Sequence, residues 1–175
     1  CKDKTKIPVK GKALIVFTAM LLYAAAMCAA ADAGLALKTG AERTDEYLPR
    51  LEGLRVALFS NHTGMVGDRH TLDVMLDGGV NVTTIFSPEH GFRGTADAGE
   101  HVKSSVDPVT GIPIASLYDG GKRGPAKAVM DNIDVIVTDI QDVGLRYYTY
   151  YITMVDLMNA AAKHGKKFMV LDRPN

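Results

Sequence analysis

One stretch of this chain gathers the residue types that move protons. Ser87-Pro-Glu-His-Gly-Phe-Arg-Gly94 sets Glu89 and His90 side by side, with Arg93 just beyond and glycines at 91 and 94 that let the backbone turn. A carboxyl group partly withdrawn from water holds its proton more tightly and can serve as an acid near neutral pH. Glu89 fits that role; it could equally cap backbone N–H groups or pair with Arg93. Asp97, Glu100 and His101 follow in the same region, and Asp139 lies in a separate polar cluster. Glu100, Asp97 and Asp139 are candidates for a second carboxylate. His62, His90 and His101 with Asp139 are potential metal ligands, but their spacing matches no established ligand motif, and no metal is expected. Arg146 and Tyr147, followed by Tyr148, could hold a sugar or a carboxylate, or simply start a helix packed on a sheet edge.

These groups matter only if the fold brings them together. Five short apolar runs recur along the chain: 55–59, 80–86, 112–117, 133–140 and 168–171. Continuous runs of this length suit strands buried on both faces of a parallel sheet. Helical patterns fall between several of them. Residues 71–76 place Leu72, Met75 and Leu76 on one side before Gly78 and Gly79, and 125–130 is a short helix with Pro125 in its first turn. Residues 148–164 form the longest, with Ile152, Val155, Met158 and Ala162 expected on its buried face. The alternation reads as a doubly wound α/β domain, mostly parallel, with helices on both faces.

In such a sheet ligands bind beyond the carboxyl ends of the strands. Every strand-like run here ends in polar residues: Ser60, Asn61 and His62; Glu89 and His90; Tyr118 and Asp119; Asp139, Gln141 and Asp142; Asp172 and Arg173. Collected on one rim, they would line a concave polar site. Asp139 or Asp142 could then hold Arg146, and Asp172 could pair with its neighbour Arg173. The segment 87–111 shows no clear period, and a loop that long in a compact domain is usually functional or disordered. Its chemistry favours function.

Twenty basic residues balance twenty acidic ones among 175, and a neutral chain is a poor nucleic-acid binder. The charge is unevenly spread. Residues 1–12 carry five lysines and one aspartate, and 13–31 carry no charge and end in alanines. That pattern predicts a signal peptide over 1–31 and an exported protein, periplasmic or extracellular, touching a membrane only through an uncleaved leader. A lipoprotein through Cys28 is the weaker option, because Ala-Ala-Met precedes that cysteine. Both cysteines, Cys1 and Cys28, fall in this leader, so the domain beyond it has no disulfide and no thiol nucleophile. Residues 32–53 read as a polar lead-in with Leu48 and Leu51 as packing points, and 54–175 as the catalytic domain. Lacking an initial Met and stopping just after a strand-like run, the chain reads as a piece of a longer protein.

Several familiar sites are missing from the sequence. There is no Gly-x-Gly-x-x-Gly after the first strand, no Walker loop, no Gly-x-Ser-x-Gly elbow and no His-Glu-x-x-His. No cofactor is therefore expected.

Taken together, Ser60–Gly64, Phe86–Gly94, Asp97–Glu100, Asp107–Pro113, Asp139–Gly144, Arg146–Tyr150 and Leu171–Asn175 resemble the bacterial exo-β-N-acetylmuramidase family, long catalogued as a domain of unknown function. The resemblance runs from about Leu51 to the end. It implies a Rossmann-like N-terminal domain with a smaller domain after it, and removal of terminal N-acetylmuramic acid from peptidoglycan fragments. It maps the family's proposed catalytic Glu onto Glu89. In that reading Arg93 and Arg146 would take the lactyl carboxylate of muramic acid. Asn61, His62, Gln141 and Tyr147 would take its hydroxyl and acetamido groups, with His90 and Asp97 as further substrate-binding candidates. A sugar-binding module without chemistry and a metal-dependent hydrolase are the competing readings.

Overall fold

The sheet is built outward from a central strand, β1 (Arg55–Ser60), which is buried along all but its first residue. It lies parallel between β4 (Asn81–Ser87) and β7 (Val135–Asp139). β6 (Pro113–Ser116) continues the sheet beyond β4, and β8 (Lys167–Val170) beyond β7, both parallel. β5 (Ser105–Val106) adds a short antiparallel edge next to β6. The order is β5-β6-β4-β1-β7-β8, while β2 (Met65–Val66) and β3 (Arg69–His70) form a small separate hairpin after β1. The computed structural model describes residues 18–23, 37–88, 91–92, 105–117 and 124–174. All of these elements belong to the compact unit Lys38–Asn175; Thr18–Tyr23, which is helical, belongs to a separate unit.

Alternation along the strands builds two cores. Val56, Leu58, Val135 and Val137 face α1 (Thr44–Leu51) and α2 (Thr71–Asp77), packing with Leu51, Leu72 and Met75. Ala57, Phe59 and Ile136 face the other way, toward Met130 of α3 (Lys127–Asp131) and Leu157 and Ala161 of α4 (Tyr150–Lys163). Helices therefore cover both sides, and the expected doubly wound, mostly parallel α/β fold is the one observed.

Two expectations are corrected. The lead-in 32–53 contains helix α1, which buries Tyr47 and Leu51 one turn apart. The buried face of α4 is also different. Tyr150, Thr153, Leu157 and Ala161 point inward, while Ile152, Val155 and Met158 are 36%, 45% and 44% exposed. Both stripes have helical spacing; the sheet accepts the more polar one because Thr153 returns its hydroxyl to Thr149 O at 2.9 Å.

Candidate active site

The parallel strands run in the order third, second, first, fourth, fifth along the chain, so the winding direction reverses at β1. A crevice opens beyond the carboxyl ends of strands at such a reversal. Ser60 and Asp139 are register partners there, the last residues of β1 and β7, and both are fully buried.

Asp139 is the centre of a buried charge network. Arg173 Nε donates to its Oδ1 at 2.5 Å and Arg173 Nη2 to its Oδ2 at 3.0 Å, a two-point grip. Thr71 Oγ1 donates to Oδ2 at 2.5 Å, and Arg173 Nη2 also reaches Met65 O at 2.8 Å. One ion pair thus joins the end of β7, the start of α2, hairpin strand β2 and the segment after β8. Gly64 lies against this pair. A Cβ there would collide with Ser60 Oγ and stand 3.2 Å from Asp139 Oδ2, so the position has room only for hydrogen. Tyr47 of α1 lies close enough to feel the carboxylate. Burial first, then the negative charge of Asp139, pushes its phenol up to about 12. Its hydroxyl has no hydrogen-bond partner among the described residues.

A second set of bonds shapes the turn after β1. Asn61 Oδ1 accepts from Thr63 N at 2.9 Å and Thr63 Oγ1 at 2.6 Å, the side-chain turn that Asn favours. Thr63 Oγ1 accepts in turn from Gln141 N at 3.1 Å, tying the β1 and β7 ends together. Asn61 O meets His70 Nε2 at 2.8 Å, and His70 Nδ1 accepts from Leu72 N at 3.1 Å, capping α2. A carbonyl can only accept and a backbone N–H can only donate, so the ring is neutral with its proton on Nε2. Phe92 packs edge-on to that ring, with centroids 4.8 Å apart.

The expected residues are distributed unevenly about this rim. Asn61 is buried, with its Nδ2 lacking a partner among the described residues. Gln141 is half-buried, and its Nε2 donates to Asp142 O at 2.7 Å and Pro174 O at 2.9 Å. His62 and Arg146 are exposed, and Tyr147 is 92% exposed. The suggested pairings are corrected. Arg173 grips Asp139, 34 positions away, rather than Asp172, and Asp142 Oδ1 accepts from Gly144 N at 2.7 Å. Glu89, His90, Arg93, Asp97, Glu100 and His101 lie outside the described residues. Pro88 follows the end of β4, and Gly91, at φ 79°, donates its N–H to Pro88 O at 3.0 Å. No group of three or more His, Cys, Asp or Glu able to hold a metal occurs among the described residues.

Sequence reasoning missed Tyr47, Thr63, His70 and Thr71. His70 and Thr71 had a visible signal, because they directly precede the apolar run of α2, where a cap belongs. Tyr47 had none, since its role depends on a contact with a residue far along the chain.

A family model described as "Exo-beta-N-acetylmuramidase NamZ, N-terminal" matches residues 56–175. The chain belongs to this family. A relative from Bacillus subtilis (strain 168), the "Peptidoglycan beta-N-acetylmuramidase NamZ", is 42% identical over 132 residues, covering 74% of this chain and 32% of that protein. Two crystal structures of DUF1343 family proteins from Bacteroides fragilis NCTC 9343 also match. One is 51% identical with a TM-score of 0.67, over 78% of this chain and 35% of that one. The other is 42% identical with a TM-score of 0.69, over 79% and 35%. The chain therefore spans about a third of the length of the relatives it matches. The family membership and fold implied by the motif blocks are those found, and the matched region of the NamZ N-terminal family takes in both Asp139 and the block around Glu89.

Proposed function

We propose that this chain forms the acid-bearing side of an exo-β-N-acetylmuramidase site, releasing terminal N-acetylmuramic acid from peptidoglycan fragments in cell-wall turnover. The observation that carries the reading is the family match over 56–175, which includes the whole Ser87–Gly94 block. The relative named for peptidoglycan β-N-acetylmuramidase activity supports it.

Cleaving a glycosidic bond needs a proton for the leaving oxygen and a negative group facing an oxocarbenium-like transition state. In this proposal Glu89 supplies the proton and then accepts one from water. It follows Pro88 in sequence, directly after β4, which pairs with β1 on the side away from β7. Asp139 has a different part. Its two oxygens are taken by Arg173 and Thr71, so it is an anchor that positions the rim. Glu100 and Asp97 are then the remaining choices for the second carboxylate. Asn61, whose buried Nδ2 lacks a partner among the described residues, offers a donor to a sugar oxygen. His62, Arg146 and Tyr147 are free to meet substrate from solvent, with His90, Arg93 and Gln141 completing the binding set. The five lysines and uncharged run of residues 1–31 add export to the periplasm or cell exterior, where such fragments arise.

The test is hydrolysis of a chromogenic N-acetylmuramic acid glycoside. Glu89→Gln keeps the shape and removes the proton, and a loss of at least about 10²-fold in kcat is expected. A rate like that of the unmodified protein would remove Glu89 from the mechanism.

A further inference from the structure

The residues on either side of Glu89 and His90 are fastened. Upstream, Pro88 is buried directly after Ser87, the fully buried last residue of β4. Downstream, Gly91 donates its N–H to Pro88 O at 3.0 Å, so the chain returns to Pro88 after two residues. Phe92 comes next. It is 3% exposed and belongs to the core cluster that holds Leu72, Ile85 and Ile114. Its ring meets that of His70 at 4.8 Å and 70°, the edge-to-face arrangement that aromatic quadrupoles favour.

His70 is a firm surface for that contact. Its Nε2 donates to Asn61 O at 2.8 Å and its Nδ1 accepts from Leu72 N at 3.1 Å, so the ring is held at both nitrogens. The next residue, Thr71, donates to Asp139. The start of α2 therefore joins the turn after β1, the Asp139–Arg173 ion pair and the residue that closes the Glu89 span. Capping a helix needs one acceptor, and Ser, Asp or Asn supplies it with a smaller side chain. A histidine at the cap adds a ring, and Phe92 packs on it.

We propose that His70 and Phe92 are positioning residues: their ring contact fixes the downstream end of the span that carries Glu89, and so limits how far its carboxyl group can travel. A general acid acts only within hydrogen-bond reach of the oxygen it protonates. Two residues between fixed ends keep few soft dihedrals, and loosening one end frees the acid to leave that reach. The role in proton transfer rests on the glycosidase reading; the clamp rests on the contacts of Pro88, Gly91, Phe92 and His70.

Two substitutions remove the ring contact from opposite sides. Phe92→Leu keeps an apolar group in the core. His70→Asn keeps an acceptor for Leu72 N–H and a donor for Asn61 O but has no ring. Amide exchange reads the clamp without reference to turnover. The Gly91 N–H should exchange about tenfold faster in each variant, while Leu58 and Ile85, fully buried in β1 and β4, keep their protection. On the chromogenic glycoside each variant should lose at least about tenfold in kcat and keep KM within about twofold, the mark of an interaction that serves the transition state alone. The deciding comparison is made in Glu89→Gln, where the group being positioned is gone: Phe92→Leu should add no further loss there. A folding defect would slow both backgrounds by the same factor. Unchanged Gly91 exchange in both variants, faster exchange without loss of kcat, or a loss that persists in full in the Glu89→Gln background overturns the proposal. The glycosidase reading is scored apart from it. Glu89→Gln at full rate removes Glu89 as the acid whatever Gly91 does; a slow Glu89→Gln with unmoved Gly91 exchange keeps the acid and removes the clamp.

Discussion

Tyr47 is the residue whose state is most at odds with its surroundings: a phenol almost fully buried, unbonded among the described residues, and close to a carboxylate. Replacing it with Phe deletes an unsatisfied hydroxyl and keeps the ring. Tyr47→Phe should therefore leave stability unchanged or raise it by up to ~1 kcal/mol at neutral pH, measured by chemical denaturation. The pH dependence has a definite sign. The folded phenol titrates at about 12 against an ordinary value of 10.0. Below the ordinary value both folded and unfolded states are protonated, so nothing is lost. Between the two, the unfolded chain ionises and the folded one resists, so stability falls as pH rises through that window. The Phe variant should lose less across it. An identical alkaline profile would mean that Tyr47 is not the group responsible. None of this was legible in the sequence, where residue 47 lies in a polar lead-in. Asp139 was legible as a rim residue because it closes an apolar run. Its partner was not, because periodicity reports burial and never which distant charge a buried carboxylate will meet.

At the scale of elements, the strands were the easiest to read. Runs such as Val56–Phe59 and Val135–Val137 are apolar without interruption, and burial on both sides explains that. Helix α1 was hidden because Pro49 interrupts it and charges surround its three useful apolar residues, Tyr47, Leu48 and Leu51. Helix α4 carries two apolar stripes, and hydropathy alone could not decide between them. The β1–α2 connection holds the sharpest steric constraint. Gly64→Ala would press a methyl group into Ser60 Oγ and against Asp139. The expected cost is about 1–3 kcal/mol, the usual range for an overpacked site. Ser60→Ala in the same chain removes the oxygen in the way and should recover part of it, seen as a favourable coupling in a double-mutant cycle. Strictly additive losses would show that the backbone, rather than this contact, resents the methyl.

For the molecule as a whole, one guanidinium ties the end of β7 to the hairpin after β1. Arg173 binds Asp139 at the end of β7 and Met65 O in the hairpin, while Gln141 reaches back to Pro174 O and Gly40 N donates to Asp172 O at 2.7 Å. The rim is thus a separately fastened layer on a sheet whose core needs none of these bonds. Arg173→Lys separates the two, because lysine keeps the charge but has no planar fork to span Asp139 and Met65 together. Local opening should then become easier at the rim alone. Amide hydrogen exchange should quicken by about tenfold, an opening cheaper by ~1.4 kcal/mol, at Gly64, Thr71 and Gln141, whose N–H groups bond to Asn61 O, Gly64 O and Thr63 Oγ1. Leu58 and Ile136, fully buried in the two cores, should keep their protection. If exchange speeds up evenly across both sets, the ion pair is part of global stability. If it changes in neither, the hairpin is held by its own turn bonds. Only the split pattern fits a site whose geometry is fastened at one point, and it predicts that turnover in the same variant falls through loss of alignment while the fold persists.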